Sequence, residues 1–137
     1  MMEKLIYPAC FYPCEKEGYT VVVPDLQGCV TEGRTLAEAV EMAVDAASGW
    51  VLDELEEGSP IPKASNMKDV RLENEDGFVS MLVLDMDAYA EKYGSKAVRK
   101  NLTIPAWLNS FAEKNGINFS KVLQDSLTAI YQKQAQI

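Results

Sequence analysis

Val98-Arg99-Lys100-Asn101-Leu102-Thr103-Ile104-Pro105-Ala106-Trp107-Leu108 is the stretch on which the fold turns. Its first seven residues are β-prone and alternate. Leu102 and Ile104 share one face, with Val98 further back, while Arg99, Asn101 and Thr103 share the other. Pro105 stops that strand and suits the first turn of a helix. Ala106 to Asn115 then reads as a helix with Trp107, Leu108, Phe111 and Ala112 as its apolar stripe, and Gly116 suits its C-terminal end. Asn118 fits an N-cap. Phe119 to Gln132 reads as a second helix with Phe119, Val122, Leu123, Leu127, Ile130 and Tyr131 apolar.

A lone strand with one apolar face and two helices has no ladder partner and cannot close a core. Pairing with the same strand of a second chain, with four helices beneath, is the simplest remedy. The expected dimer core is Leu102, Ile104, Trp107, Leu108, Phe111, Val122, Leu123 and Leu127. The sequence leaves open whether homodimers assemble further. The outer face of the two-stranded ribbon would carry Arg99, Asn101 and Thr103 twice. Such a ribbon fits the DNA major groove, where these side chains hydrogen-bond base edges. Asn118, Phe119 and Ser120 at the start of the second helix offer free amides to a DNA phosphate. Lys96, Lys100 and Lys121 add positive charge.

The charge of the whole chain speaks against this, because 13 basic and 21 acidic residues leave a net charge of −8 and phosphate binding needs Lys and Arg. Resolved along the chain, the objection disappears. Residues 1–94 hold 7 basic and 19 acidic residues, a net of −12, whereas residues 95–137 hold 6 basic and 2 acidic, a net of +4. Such asymmetry predicts two modules with different partners, 1–94 and 95–137, joined by a short hinge at Gly94-Ser95. The second is near the ~40-residue limit below which a domain needs help to fold, which again favours oligomerisation.

Hydrophobic residues make up 47% and charged residues 25% of the 137, a globular balance that excludes wholesale disorder. No run approaches the ~18 apolar residues of a membrane span, and Met1 to Pro8 lacks the long apolar region of a signal peptide. A cytoplasmic protein without membrane contact is expected. Cys10, Cys14 and Cys29 are an odd, irregularly spaced set, as in a reducing compartment. With no His and no fourth Cys, the C-x-x-x-C pair does not supply the four ligands of structural zinc. No metal and no cofactor are expected.

The acidic part reads as β-β-β-α-β, a small α+β layer with a helix on a sheet. Leu5 to Tyr12 is strand one, and Pro8 suggests an edge strand or a bulge. Glu15 to Gly18 is a turn, and Tyr19 to Val23 is strand two of a hairpin. Pro24-Asp25-Leu26-Gln27-Gly28 is a turn, Cys29-Val30-Thr31 a short third strand. Thr35-Leu36-Ala37-Glu38 fits a capping box. Leu36, Ala39, Val40, Ala43, Val44, Ala47, Trp50, Val51 and Leu55 then mark one face of a helix that runs to about Glu57 and stops at Gly58 and Pro60. Its Ala-rich middle allows close approach to a sheet. Ile61 to Asn66 is a loop, Asp69 to Leu72 is expected to be extended, Glu75 to Gly77 is a turn, and Phe78 to Leu84 is a strand apolar on both faces. Asp87 to Tyr93 suits two helical turns.

Enzymatic chemistry is not expected. A two-metal nuclease needs clustered carboxylates. The candidates Asp25, Glu32, Asp45 and Asp85 have no spacing that requires one site. The run Asp53-Glu54-Glu56-Glu57 ends a helix where negative charge opposes the macrodipole; it reads first as a solvated end, and second as a dock for a basic protein. Tyr7, Phe11, Tyr12 and Tyr19 read as core rather than a base-stacking platform, since the surrounding charge repels phosphate.

Residues 100–108 and Gly116-Ile117-Asn118-Phe119-Ser120-Lys121-Val122-Leu123 resemble the ribbon-helix-helix DNA-binding fold. In that fold alternate outward strand residues read bases, here Arg99, Asn101 and Thr103. Lys100 departs from it, standing where the inward face often has an apolar residue. Tyr19-Thr20-Val21-Val22-Val23-Pro24-Asp25-Leu26-Gln27-Gly28-Cys29-Val30-Thr31-Glu32-Gly33, followed by Thr35-Leu36-Ala37-Glu38-Ala39, resembles the HicB antitoxin family, with its P-D-L-x-G-C-x-T-x-G turn before a long helix. That resemblance implies a partial RNase H-like N-terminal domain, a partner in the small basic mRNA-cleaving toxin HicA, and repression of the protein's own operon through operator DNA. A stand-alone ribbon-helix-helix transcription regulator with a ligand-sensing first domain is the competing expectation. A gene for a small basic protein beside this one would separate the two.

Overall fold

A computed structural model of the chain describes residues 2–94 and 98–135. Four strands, β1 (Leu5–Pro13), β2 (Tyr19–Val22), β3 (Val30–Gly33) and β4 (Phe78–Leu84), form one antiparallel sheet in the order β3-β2-β1-β4. The helices are α1 (Leu36–Glu57), α2 (Met86–Tyr93), α3 (Ala106–Lys114) and α4 (Phe119–Ala135).

Period-two alternation puts Leu5, Tyr7, Ala9 and Phe11 of β1 on one face, beside Leu82 and Leu84 of β4, and all are buried. Helix α1 covers that face with Ala39, Ala43, Ala47 and Val51, each buried. The small residues matter: a Cβ on Gly33 of β3 would lie 2.3 Å from the backbone nitrogen of Ala39, so only glycine permits this approach. The buried arc differs from the expected stripe. It takes in Ser48 and Leu52, while Leu36 and Val40 stay exposed. An i, i+4 line drifts around a helix of 3.6 residues per turn, so along Ala39-Ala43-Ala47-Val51 the buried arc moves toward the side of Ser48 and Leu52, which it reaches only in the later turns, after Leu36 and Val40.

Both ends of α1 are where local chemistry puts them. Thr35 accepts a hydrogen bond from the Glu38 amide at 3.1 Å. Gly58 sits at φ 74°, and its own and the Ser59 amide donate to the carbonyls of Leu55 and Glu54, a Schellman stop.

Pro8 needs a correction. Strand β1 lies inside the sheet, not at its edge. Yet β2 pairs only with Cys10 to Pro13, so at Pro8 the sole ladder neighbour is Met81 of β4. The proline's missing N–H is tolerated on the open side. Between α1 and β4, Asp69 ends a 3-10 turn (Met67–Asp69) rather than starting an extended segment, because Asn66 caps the turn by accepting from the Lys68 amide at 3.0 Å. Helix α2 starts at Asp85, which accepts from the Ala88 amide at 3.1 Å.

Residues 98–105 are neither strand nor helix. The β-prone alternation is present, but among the described residues no strand pairs with Val98 to Ile104. Gly116 (φ 62°) reverses the chain after α3, and Asn118 caps α4 by accepting from the Lys121 amide at 3.1 Å.

Candidate functional site

In the C-terminal half, α3, α4 and residues 98–105 enclose a concave groove of about 1090 Å³. Leu102, Ile104, Leu108, Phe111, Val122, Leu123 and Leu127 all line it; Trp107, the other expected dimer-core residue, does not and is 71% exposed. Leu102 is 66% and Leu127 55% exposed. Ala112 is the only buried hydrophobic residue among those described beyond residue 97. Apolar surface exposed to water and gathered in one groove is the kind of surface that interaction sites present.

Arg99, Lys100 and Asn101 line the same groove and are exposed, and Thr103 is exposed outside its lining. Without a strand, the expected separation of these residues from Leu102 and Ile104 is not expressed in the single chain. Asn118, Phe119, Ser120 and Lys121 are exposed together at the start of α4, whose first amides lack intrahelical acceptors. Asn118 uses its side chain on the Lys121 amide, which makes it a cap. Lys96 lies outside the described residues.

The four carboxylates weighed as nuclease ligands do not converge. Asp25 accepts from the Ser65 amide at 2.8 Å and from its hydroxyl at 2.5 Å, which fastens the 24–28 turn to the loop after α1. Asp85 caps α2, and Glu32 and Asp45 lie exposed on β3 and α1. Among the described residues no group of three or more His, Cys, Asp or Glu is placed to hold a metal. The turn itself is tightly built. Leu26 is buried, Gly28 takes φ 81°, the Cys29 amide donates to Leu26, and the Trp50 indole donates to the Gln27 carbonyl at 3.0 Å.

Tyr7 and Phe11 are core residues, as expected. The Tyr7 hydroxyl donates to the Pro62 carbonyl at 2.5 Å. Burial, then the nearby Asp25 carboxylate and Tyr131, push its pKa up to about 12. Burial also pushes up the thiols of Cys10 and Cys29. No periodicity or motif points to Ser65 as the partner of Asp25, or to Tyr131 as more than an apolar helix position. The acidic run at the end of α1 has no basic residue in its last turn, and Asp53, Glu56 and Glu57 are exposed. On the outer sheet face, Ile6, Met81 and Val83 are exposed as well.

No helix among the described residues is long and apolar enough to cross a membrane. Comparison with known proteins gives a consistent picture. The family described as HicB-like antitoxin of bacterial toxin-antitoxin system matches residues 7–125. A 14.9 kDa protein in the rep-hol intergenic region of Haemophilus phage HP1 is 32% identical over 104 residues, 76% of either chain. Antitoxin HicB 1 of Photorhabdus laumondii is 41% identical over 46 residues, 34% of this chain and 30% of that one. Among solved structures, a chain of a toxin-antitoxin complex from Streptococcus pneumoniae aligns with a TM-score of 0.60 and 27% identity, over 93% of this chain and 99% of that chain. With a family match that runs from β1 into α4, this chain belongs to the HicB-like antitoxin family.

Proposed function

We propose that this antitoxin neutralises a HicA-like mRNA-cleaving toxin through residues 1–94 and represses its own operon through paired modules formed by residues 95–137. The observation that carries the toxin half is the extent of the likeness. The matching chain of the Streptococcus pneumoniae toxin-antitoxin complex is covered almost end to end, at 99%. A net charge of −12 on residues 1–94 suits a basic partner, and opposite charge speeds encounter and fixes register. Inhibition is then burial of the toxin's working surface, with no chemistry by the antitoxin.

The DNA half rests on the groove. Two copies pairing through Val98 to Ile104 would supply the missing ladder and bring Leu102, Ile104, Phe111, Leu123 and Leu127 of both chains together. In that ribbon Arg99, Asn101 and Thr103 face the major groove, while Lys100, Lys121 and the start of α4 meet phosphates. The module's net charge of +4 would be doubled on one surface.

The test is direct. The full chain is mixed with a HicA-like toxin, and RNA cleavage by that toxin is followed. Stoichiometric suppression of cleavage with a stable complex is expected. Unimpeded cleavage, or no complex, would refute the antitoxin role.

A further inference from the structure

The segment after α1 is held from three sides. The Tyr7 hydroxyl grips the Pro62 carbonyl at 2.5 Å. Asp25 grips Ser65 through its amide and hydroxyl. Between them, the Ile61 amide donates to the hydroxyl of Tyr131 at 3.2 Å. Tyr131 belongs to α4, and its ring packs against the core that the sheet and α1 build. Ile61 itself is buried in that core. The segment that Asp25 holds is therefore also the segment that meets the C-terminal helix through Tyr131. Asp25 and Trp50 in turn tie down the 24–28 turn, so turn, segment and helix are linked in series.

We infer that Tyr131 latches the C-terminal helices onto the N-terminal layer, and that Asp25, acting through Ser65 and Ile61, is the positioning residue that sets the latch. The feature connects the two ends of the molecule where their tasks differ. Helix α4 carries the exposed cluster Asn118 to Lys121 at its start and the latch tyrosine near its end. A ligand that shifts the 24–28 turn or the 61–65 segment changes the seat of α4, and by linkage a ligand that reorients α4 changes the turn with the same coupling free energy. The inference goes beyond the antitoxin reading and needs neither toxin nor DNA for its test.

Residue-resolved amide exchange on the full-length protein provides that test, with Tyr131→Phe and Asp25→Asn compared with wild type after both are shown to melt cooperatively. Tyr131→Phe keeps the ring and removes one acceptor. It should speed exchange at Ile61 by ~3–10-fold, the worth of one modest hydrogen bond, and leave residues 24–28 unchanged. Asp25→Asn should speed exchange at Ser65 and Ile61, and also in residues 126–135, beyond the Ser65 hydrogen bonds that Asp25 accepts. A purely local role for Asp25 would confine the change to 24–28 and 61–66. That confinement, or an Ile61 amide indifferent to Tyr131→Phe, would overturn the latch.

Discussion

The two halves of this chain use the same apolar vocabulary and arrive at opposite ends. In residues 2–94 the alternating strands and the alanine line of α1 meet one another, and Tyr7, Phe11, Val21, Leu82 and Leu84 are all buried. In residues 98–135 the periodic pattern is as regular, yet Leu102, Phe111, Val122 and Leu127 remain more than half exposed. The difference lies in what is available to cover each face. Four strands and a 22-residue helix close a layer. One β-prone segment and two helices do not, so the same hydrophobic effect that folds the first half drives the second toward a partner.

Core truncation should separate the halves most sharply. Phe11 is fully buried and stacks on Phe78 at 5.2 Å. Phe11→Ala should cost about 3–5 kcal/mol in urea unfolding. Leu102→Ala, measured at concentrations where the chain is single, should cost under ~0.5 kcal/mol; its effect should appear as weaker self-association in sedimentation. Comparable losses for the two would erase the distinction.

Next in size is Gly33→Ala. Its Cβ would meet the Ala39 backbone, which cannot swing aside. A cost of about 1–3 kcal/mol is expected, read as a lowered urea midpoint. In the second half, Arg99→Ala should cost a similar ~1–3 kcal/mol on operator DNA and relax base preference. Lys121→Ala should weaken specific and random-sequence binding alike and lower the salt slope by about 1. Gel-shift titrations at several salt concentrations distinguish them.

The smallest effect concerns Tyr7. Its raised pKa means the fold favours the protonated phenol, so this stabilisation is complete below pH 10 and fades as pH rises toward 12. Ultraviolet titration should show one of the six tyrosines ionising near 12 while the chain stays folded. Tyr7→Phe should lose about 1 kcal/mol below pH 10 and remove that tyrosine's part of the alkaline decline.

What was legible in the sequence follows from the range of the interactions. The limits of α1 at Thr35 and Gly58 depend on residues within five positions, and they stand where the capping chemistry puts them. The β-β-β-α-β order and the turn at Glu75 to Gly77 are equally local. Pro8 points to an edge, but strand order is a non-local fact: β1 is interior, and the late start of β2 leaves room for the ring. The pairing of Asp25 with Ser65 spans 40 residues, and that of Ile61 with Tyr131 spans 70, with no periodicity to announce either. The strand expected at Val98 to Ile104 rests on alternation alone, and alternation states a preference that only a second strand can satisfy.

Leu102→Asp brings the comparison to a single experiment. Asp at that position would place a charge in the apolar groove and leave residues 1–94 untouched. Wild type and variant are titrated with the HicA-like toxin and with DNA from the protein's own promoter. The expected result is toxin affinity within about twofold of wild type and operator affinity lower by about a hundredfold or more, the cost of an unpaired charge in an apolar interface. Undiminished operator binding by the variant, or toxin binding lost in step with DNA binding, would contradict the division of the chain into two modules with separate partners.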